Sequence, residues 1–205
     1  MAELTITTFL SLDGVMQAPG GPQEDTSDGF EFGGWMAPFR DGAIRAFIVE
    51  LFARAEAFLL GRGTYEIFAG YWPQFADPDD PIARALNGLP KYVASRTLNA
   101  VAWRGSSLVR DPIAEAAAIK ARHGGEVQVH GSGALARSLL EHGLVDELRL
   151  LTFPVILGRG KRLFGEASAP ASFSLAEVRT AKTGAVMTRY RRTGPVAVGS
   201  YARDP

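Results

Sequence analysis

EVQVHGSGALARSLLEHG, residues 126–143, changes its period part-way through. Val127 and Val129 alternate with polar neighbours at the spacing of two that a strand requires, and Gly131-Ser132-Gly133 then breaks the pattern. A helix is predicted from about Ala134 to His142, with Gly143 as its C′ residue. Strand, glycine turn and helix in direct succession is the building unit of an α/β fold. The same unit stands upstream, where Ala57-Phe58-Leu59-Leu60 ends at Gly61 and Thr64 opens a short helix that Pro73 terminates.

Working outward, Leu4, Ile6, Thr8 and Leu10 alternate with Thr5, Thr7 and Phe9, a first strand that stops at Asp13-Gly14. Residues 17–34 hold seven glycines and prolines among four acids, the composition of a long, mobile loop. Ile44, Phe47, Ile48, Leu51, Phe52 and Ala55 recur at helical spacing behind Asp41, which is placed as a cap. The acidic stretch 77–81 reads as loop, Lys91 to Ala94 as a short strand, Val101 to Trp103 as another, and Asp111-Pro112 as the start of a helix that Gly124 stops. Leu148 to Val155 is a strand. About 172–180 and 186–193 are two more with no helix between them, hence an antiparallel pair. The expected architecture is a single domain over residues 1–205, with a mostly parallel sheet between helical layers and an antiparallel carboxyl-terminal hairpin.

Basic and acidic residues number 22 each, so the chain has no basic field that would favour nucleic acid or an anionic membrane surface. With no cysteine, thiolate metal sites, disulfides and a cysteine nucleophile are excluded, and a cytoplasmic location is expected. Asp77, Asp79 and Asp80 lack the spacing of a calcium loop, and no metal is expected. The amino terminus lacks the charge pattern of a leader, and no apolar run is long enough to span a membrane.

The chemistry rests on the two glycine turns, Gly61-Arg62-Gly63-Thr64 and Gly131-Ser132-Gly133. Each sits where a helix begins, so unpaired N–H groups and the positive end of the helix dipole face an anion, and glycine permits close approach. A pair of them suits a pyrophosphate, although each alone could be an ordinary tight turn. Neither carries the full Rossmann fingerprint or the P-loop ending.

Leu59-Leu60-Gly61-Arg62-Gly63-Thr64-Tyr65-Glu66, Val93-Ala94-Ser95-Arg96, Val129-His130-Gly131-Ser132-Gly133 and Leu150-Leu151-Thr152 together resemble the dihydrofolate reductase superfamily. Ser11-Leu12-Asp13-Gly14 and Pro154-Val155-Ile156-Leu157-Gly158-Arg159-Gly160 resemble its riboflavin-biosynthesis branch, the RibD carboxyl-terminal domain. The resemblance implies an NADPH-dependent reductase, of the 5-amino-6-(5-phosphoribosylamino)uracil reductase type, acting on a C=N or C=O of a small heterocycle. It places Gly61, Arg62, Thr64, Gly131, Ser132, Gly133, Ala134 and Leu135 at the pyrophosphate, Ser95 and Arg96 at the 2′-phosphate, and Gly14, Val15 and Met16 over the nicotinamide. Asp13 and Asp41 are the candidate catalytic acids, though Asp13 equally suits a turn and Asp41 a cap. Trp35, Tyr65, Trp72 and Thr152 are the candidate substrate contacts, the aromatic ones being equally suited to core. Loop 17–34 would be a lid, and the branch commonly forms homodimers, for which 148–156 is a candidate interface strand. A non-catalytic NADPH-binding module and a true dihydrofolate reductase are the alternatives. Against the latter, Ser132 replaces the second glycine of a Gly-Gly pair and Ala136 stands where a tyrosine is usual. His123 and His142 sit near helix ends, and His130 is either packed in its strand or in contact with cofactor.

Overall fold

The computed structural model describes residues 1–75, 77–165 and 168–201, and its eight strands form one sheet. They are β1 (Glu3–Ser11), β2 (Ala55–Gly61), β3 (Lys91–Ala94), β4 (Ser106–Val109), β5 (Glu126–His130), β6 (Glu147–Phe153), β7 (Ser172–Thr180) and β8 (Val186–Gly194), in the order β4-β3-β2-β5-β1-β6-β8-β7. β1 to β6 pair in parallel, while β8 is antiparallel to both β6 and β7. Five helices connect them: α1 (Gly42–Phe52), α2 (Arg62–Tyr71), α3 (Pro81–Gly88), α4 (Pro112–Ala121) and α5 (Gly133–Glu141). This is the mostly parallel, three-layer architecture with an antiparallel pair that the sequence patterns predict. No helix among the described residues is long and apolar enough to cross a membrane.

Alternate strand residues enter opposite layers. Leu4, Ile6, Leu59, Val127, Val129 and Leu148 pack with Ile119 of α4 and Leu135 and Leu139 of α5. The other face is split in two. Leu151 and Phe153 pack with Ile44, Phe47 and Leu51 of α1. Phe58, Leu60 and Val93 pack with Phe52, Tyr65 of α2 and Leu86 of α3. Between these two clusters, β1 and β5 present a polar row: Thr5, Thr7, Glu126, Gln128 and His130, all buried. Arg149 of β6, with no exposed surface, joins it by pairing with Glu126 at 2.7 Å and Glu147 at 2.6 Å.

The structure departs from the sequence expectations at several points. The acidic loop ends at Asp80, and residues 81–88, where the sequence patterns predict no element, are the helix α3: Asp80 accepts from the Ile82 and Ala83 N–H groups and Pro81 takes the first turn, a start signal hidden among the acids. Val101 to Trp103 is not a strand. Its apolar residues pack on the third cluster, and the ladder partner of β3 is β4, after the Gly105 turn. α2 begins at Arg62, two residues before Thr64. Loop 17–34 is built into the fold, with Phe30 and Trp35 buried in the second cluster. It is also tied to the 157–162 segment: Lys161 meets Asp25 at 2.6 Å, Arg159 meets Glu31 at 2.7 Å, and the Lys161 N–H donates to Gln17 Oε1. The candidate interface segment 148–156 runs inside the sheet as β6 up to Phe153, with Leu148, Leu151 and Phe153 in the chain's own core, and leaves Ile156 exposed beyond it.

Candidate functional site

β5 differs from both of its neighbours in where its chain goes next. β1 and β2 feed α1 and α2 on one face, whereas β5 feeds α5 on the other. Divergent connections leave a crevice at the carboxyl ends of such strands, which is where open α/β sheets bind ligands.

The two glycine turns meet in that crevice. Ser132 Oγ accepts from the Gly61 N–H at 3.0 Å and lies 2.9 Å from Thr64 Oγ1, which in turn accepts from the Ser132 N–H at 3.1 Å. These bonds hold Ser132 at φ 53°, a left-handed conformation uncommon outside glycine. The approach is close enough that a Cβ on Gly61 would stand 3.3 Å from the Ser132 side chain. Neither α2 nor α5 has a side-chain cap at its start. The first-turn N–H groups, including those of Gly133, Ala134 and Leu135, therefore point unpaired toward one shared space. At the adjoining strand ends Gly61, Ala94 and Val109 are in register, which brings Arg62, Arg96 and Arg110 to one corner. None of the three pairs with a carboxylate among the described residues. Arg110 was not singled out in the sequence because β4 itself was not recognised. It donates to the Ser95 carbonyl at 2.9 Å, while Ser95 Oγ accepts from the Leu98 N–H at 3.0 Å. Opposite, the buried Met16 covers the start of α5, with Val15 behind it in the core and Gly14 turning at φ 79°.

The remaining candidates fall elsewhere. Asp13 is a bound acceptor: its carboxylate takes hydrogen bonds from Ser11 Oγ (2.7 Å), the Leu157 N–H (3.1 Å) and the Gly158 N–H (2.9 Å), and Arg162 pairs with it at 3.1 Å. Partial burial pushes its pKa up, but those donors outweigh burial and hold it at about 2. Asp41 caps α1 through the Ala43 N–H at 2.7 Å, and its second oxygen accepts from the Lys182 N–H at 3.0 Å. Both candidate acids thus have carboxylates engaged as acceptors in the fold, in the turn and cap roles that the sequence also allowed. Trp35 and Tyr65 are engaged likewise. Trp35 donates to the Gln17 carbonyl, and Tyr65 Oη accepts from the Ala102 and Trp103 N–H groups, so both polar tips are turned into the fold. Trp72 is half-buried beside Tyr71 and Phe75, and Thr152 is half-buried near the end of β6. His130 is stacked on Phe52 at 4.6 Å, and burial, then Arg149, lowers its pKa to about 3.

A family model described as the RibD C-terminal domain matches residues 2–187, a span that includes β1 to β6 and both glycine turns. The chain belongs to the RibD C-terminal domain family. It is 29% identical over 141 residues to the uncharacterised protein YyaP of Bacillus subtilis, covering 68% of this chain and 75% of that one. The fold is shared with a pyrimidine reductase-like protein of Corynebacterium diphtheriae (TM-score 0.62, 18% identity, 94% of this chain and 92% of that one). It is also shared with the diaminohydroxyphosphoribosylaminopyrimidine deaminase/5-amino-6-(5-phosphoribosylamino)uracil reductase of Thermotoga maritima (TM-score 0.60, 15% identity), of which this RibD C-terminal chain covers 57% while 94% of its own length is matched. Among the described residues of this family member, no cluster of three or more acidic, histidine or cysteine side chains could hold a metal ion.

Proposed function

We propose that the chain is an NADPH-dependent reductase acting on a C=N or C=O of a small heterocyclic substrate, in the manner of the riboflavin-pathway pyrimidine reductases. The observation that carries this reading is the convergence of two uncapped helix starts on the Ser132–Thr64 contact, next to three arginines without acidic partners. That donor set matches a dinucleotide along its length. Backbone N–H groups of α2 and α5 fit the pyrophosphate, and guanidinium forks fit the terminal phosphate that separates NADPH from NADH.

When bound, the dinucleotide supplies the hydride. The protein's contribution is placement. Ser132 and Thr64 fix the spacing of the two helix starts, Ser95 and Arg110 fix the loop that carries Arg96, and Gly14 to Met16 close over α5. With Asp13 and Asp41 both committed as acceptors, the proton is delivered by water at the crevice and not by a carboxylic acid.

Titration with NADPH and NADH, followed by nicotinamide fluorescence and thermal stability, tests the reading. NADPH binds preferentially, and Arg96→Ala weakens NADPH by about tenfold to a hundredfold while leaving NADH nearly unchanged, as expected for loss of one charge-assisted phosphate contact. Absence of binding to either nucleotide would overturn it. A binding module without turnover is separated by whether any aminopyrimidine drives NADPH oxidation, and a dihydrofolate reductase by turnover of dihydrofolate.

A further inference from the structure

Glu126, Gln128 and His130 follow one another along one face of β5, all buried, at positions that strand interiors normally fill with apolar side chains. Their hydrogen bonds fix where the protons sit. Gln128 Nε2 donates to the Glu126 carboxylate at 2.8 Å and to the Leu51 carbonyl at the end of α1 at 2.6 Å, and neither acceptor can donate in return. The amide oxygen of Gln128 is therefore the atom 3.0 Å from His130 Nε2, and an oxygen there requires the imidazole proton on Nε2. Nδ1 is left as a bare lone pair with no partner among the described residues.

Thr7 is in register with His130 on β1, and its hydroxyl is buried without a partner, as is that of Thr5. Buried polar atoms are matched almost everywhere in folded proteins, by protein, by water or by ligand. Thr7 and His130 meet at the last residue of β5, directly before the Gly131 turn, where the α1 cluster and the α2 cluster adjoin. Phe52 holds the imidazole plane by stacking at 26°, and the half-buried Phe9 lies two residues beyond Thr7 on β1.

We propose that His130 recognises substrate, accepting at Nδ1 a hydrogen bond from an N–H of a planar heterocycle seated over β1 and β5. The proposal rests on the reductase reading and names the group that would select N–H-bearing heterocycles within it. A neutral imidazole locked in this tautomer accepts and cannot donate on that side, so a ring methylated at nitrogen is refused.

The test uses the full chain labelled with nitrogen-15 histidine, whose three histidines are assigned with the help of His130→Phe. Nitrogen NMR of the free protein near neutral pH should show His130 neutral and protonated at Nε2. In the NADPH-loaded protein, 6-aminouracil should shift the Nδ1 resonance, and 1,3-dimethyluracil, which has no N–H, should not. His130→Phe keeps a flat ring against Phe52; it should still bind NADPH and should lose the preference for 6-aminouracil. A proton on Nδ1, or an Nδ1 resonance unmoved by 6-aminouracil, overturns the proposal. Movement with NADPH alone assigns the ring to the cofactor and overturns it as well. Failure to bind NADPH removes the reductase reading and this proposal together, whereas NADPH binding with an unmoved His130 removes the proposal alone.

Discussion

His130 shows how a single buried residue couples the fold to pH. Burial, with Arg149 adding to it, depresses the imidazole pKa from its ordinary 6.5 to about 3. Below its ordinary value the unfolded chain therefore takes up a proton that the folded chain refuses. The stability held at neutral pH is lost as pH falls from about 6.5 toward 3, by at most about 1.4 kcal/mol per pH unit. Urea unfolding at about pH 7.5 and 5.5 should show this loss, and His130→Phe should flatten it. Asp13 has the opposite sign of group and a lower window. Its carboxylate is held at about 2, so the stability it lends is present above 3.8 and disappears only between 3.8 and 2. The His130 contribution begins near 6.5, above the carboxylate range in which Asp13, Glu126 and Glu147 titrate, which is why the comparison is made between about pH 7.5 and 5.5.

At the scale of elements, the helix starts divide the molecule by purpose. α1, α3 and α4 are closed by Asp41, Asp80 and Asp111, each accepting from first-turn N–H groups, whereas α2 and α5 are left open. A carboxylate at either open start would compete with an anion for the same donors. If Asp41 is a cap only, Asp41→Asn should keep the Ala43 cap and NADPH binding while losing the bond from the Lys182 N–H, at a cost of about 1 kcal/mol. Asp41→Ala, which loses the cap as well, should cost about 1 kcal/mol more in denaturant unfolding while binding persists. Loss of turnover in the asparagine variant at no greater loss of stability would instead mark Asp41 as the acid. The 17–34 loop is held by surface ion pairs from Lys161 and Arg159, each worth about 0–1 kcal/mol. Lys161→Met should accordingly speed proteolysis within that loop and shift global stability by no more than about 1 kcal/mol.

For the molecule as a whole, the polar row joins what the apolar clusters leave apart. Arg149 bonds Glu126 of β5 and Glu147 of β6, and Arg189 of β8 reaches Glu147 at 3.0 Å, so one network crosses from the middle of the sheet to the antiparallel edge. Removing the buried guanidinium takes from Glu126 and Glu147 a partner that Arg54 and Arg189 only partly replace. Arg149→Met should therefore destabilise by about 3–5 kcal/mol in urea unfolding, more than any surface arginine. Much of this architecture was legible in residue order. Period-two and helical spacing located seven of the eight strands and four of the five helices, and the glycines at 61 and 131–133 marked both turns that open uncapped helices, because each is a local property of the backbone. α3 and β4 escaped because eight and four residues carry too little periodicity to stand out, and β4 becomes a strand only by pairing with β3. Side-chain roles were less legible still. Asp13, Asp41, Trp35 and Tyr65 have the chemistry of site residues, yet partners far away in sequence (Gly158, Lys182, Gln17 and Trp103) claim their polar atoms. The sequence by itself determined the alternation of elements and where the two glycine turns fall, since both follow from neighbours along the chain. Only the tertiary structure decided which polar atoms remain free for a ligand, since that depends on what distant segments have already satisfied.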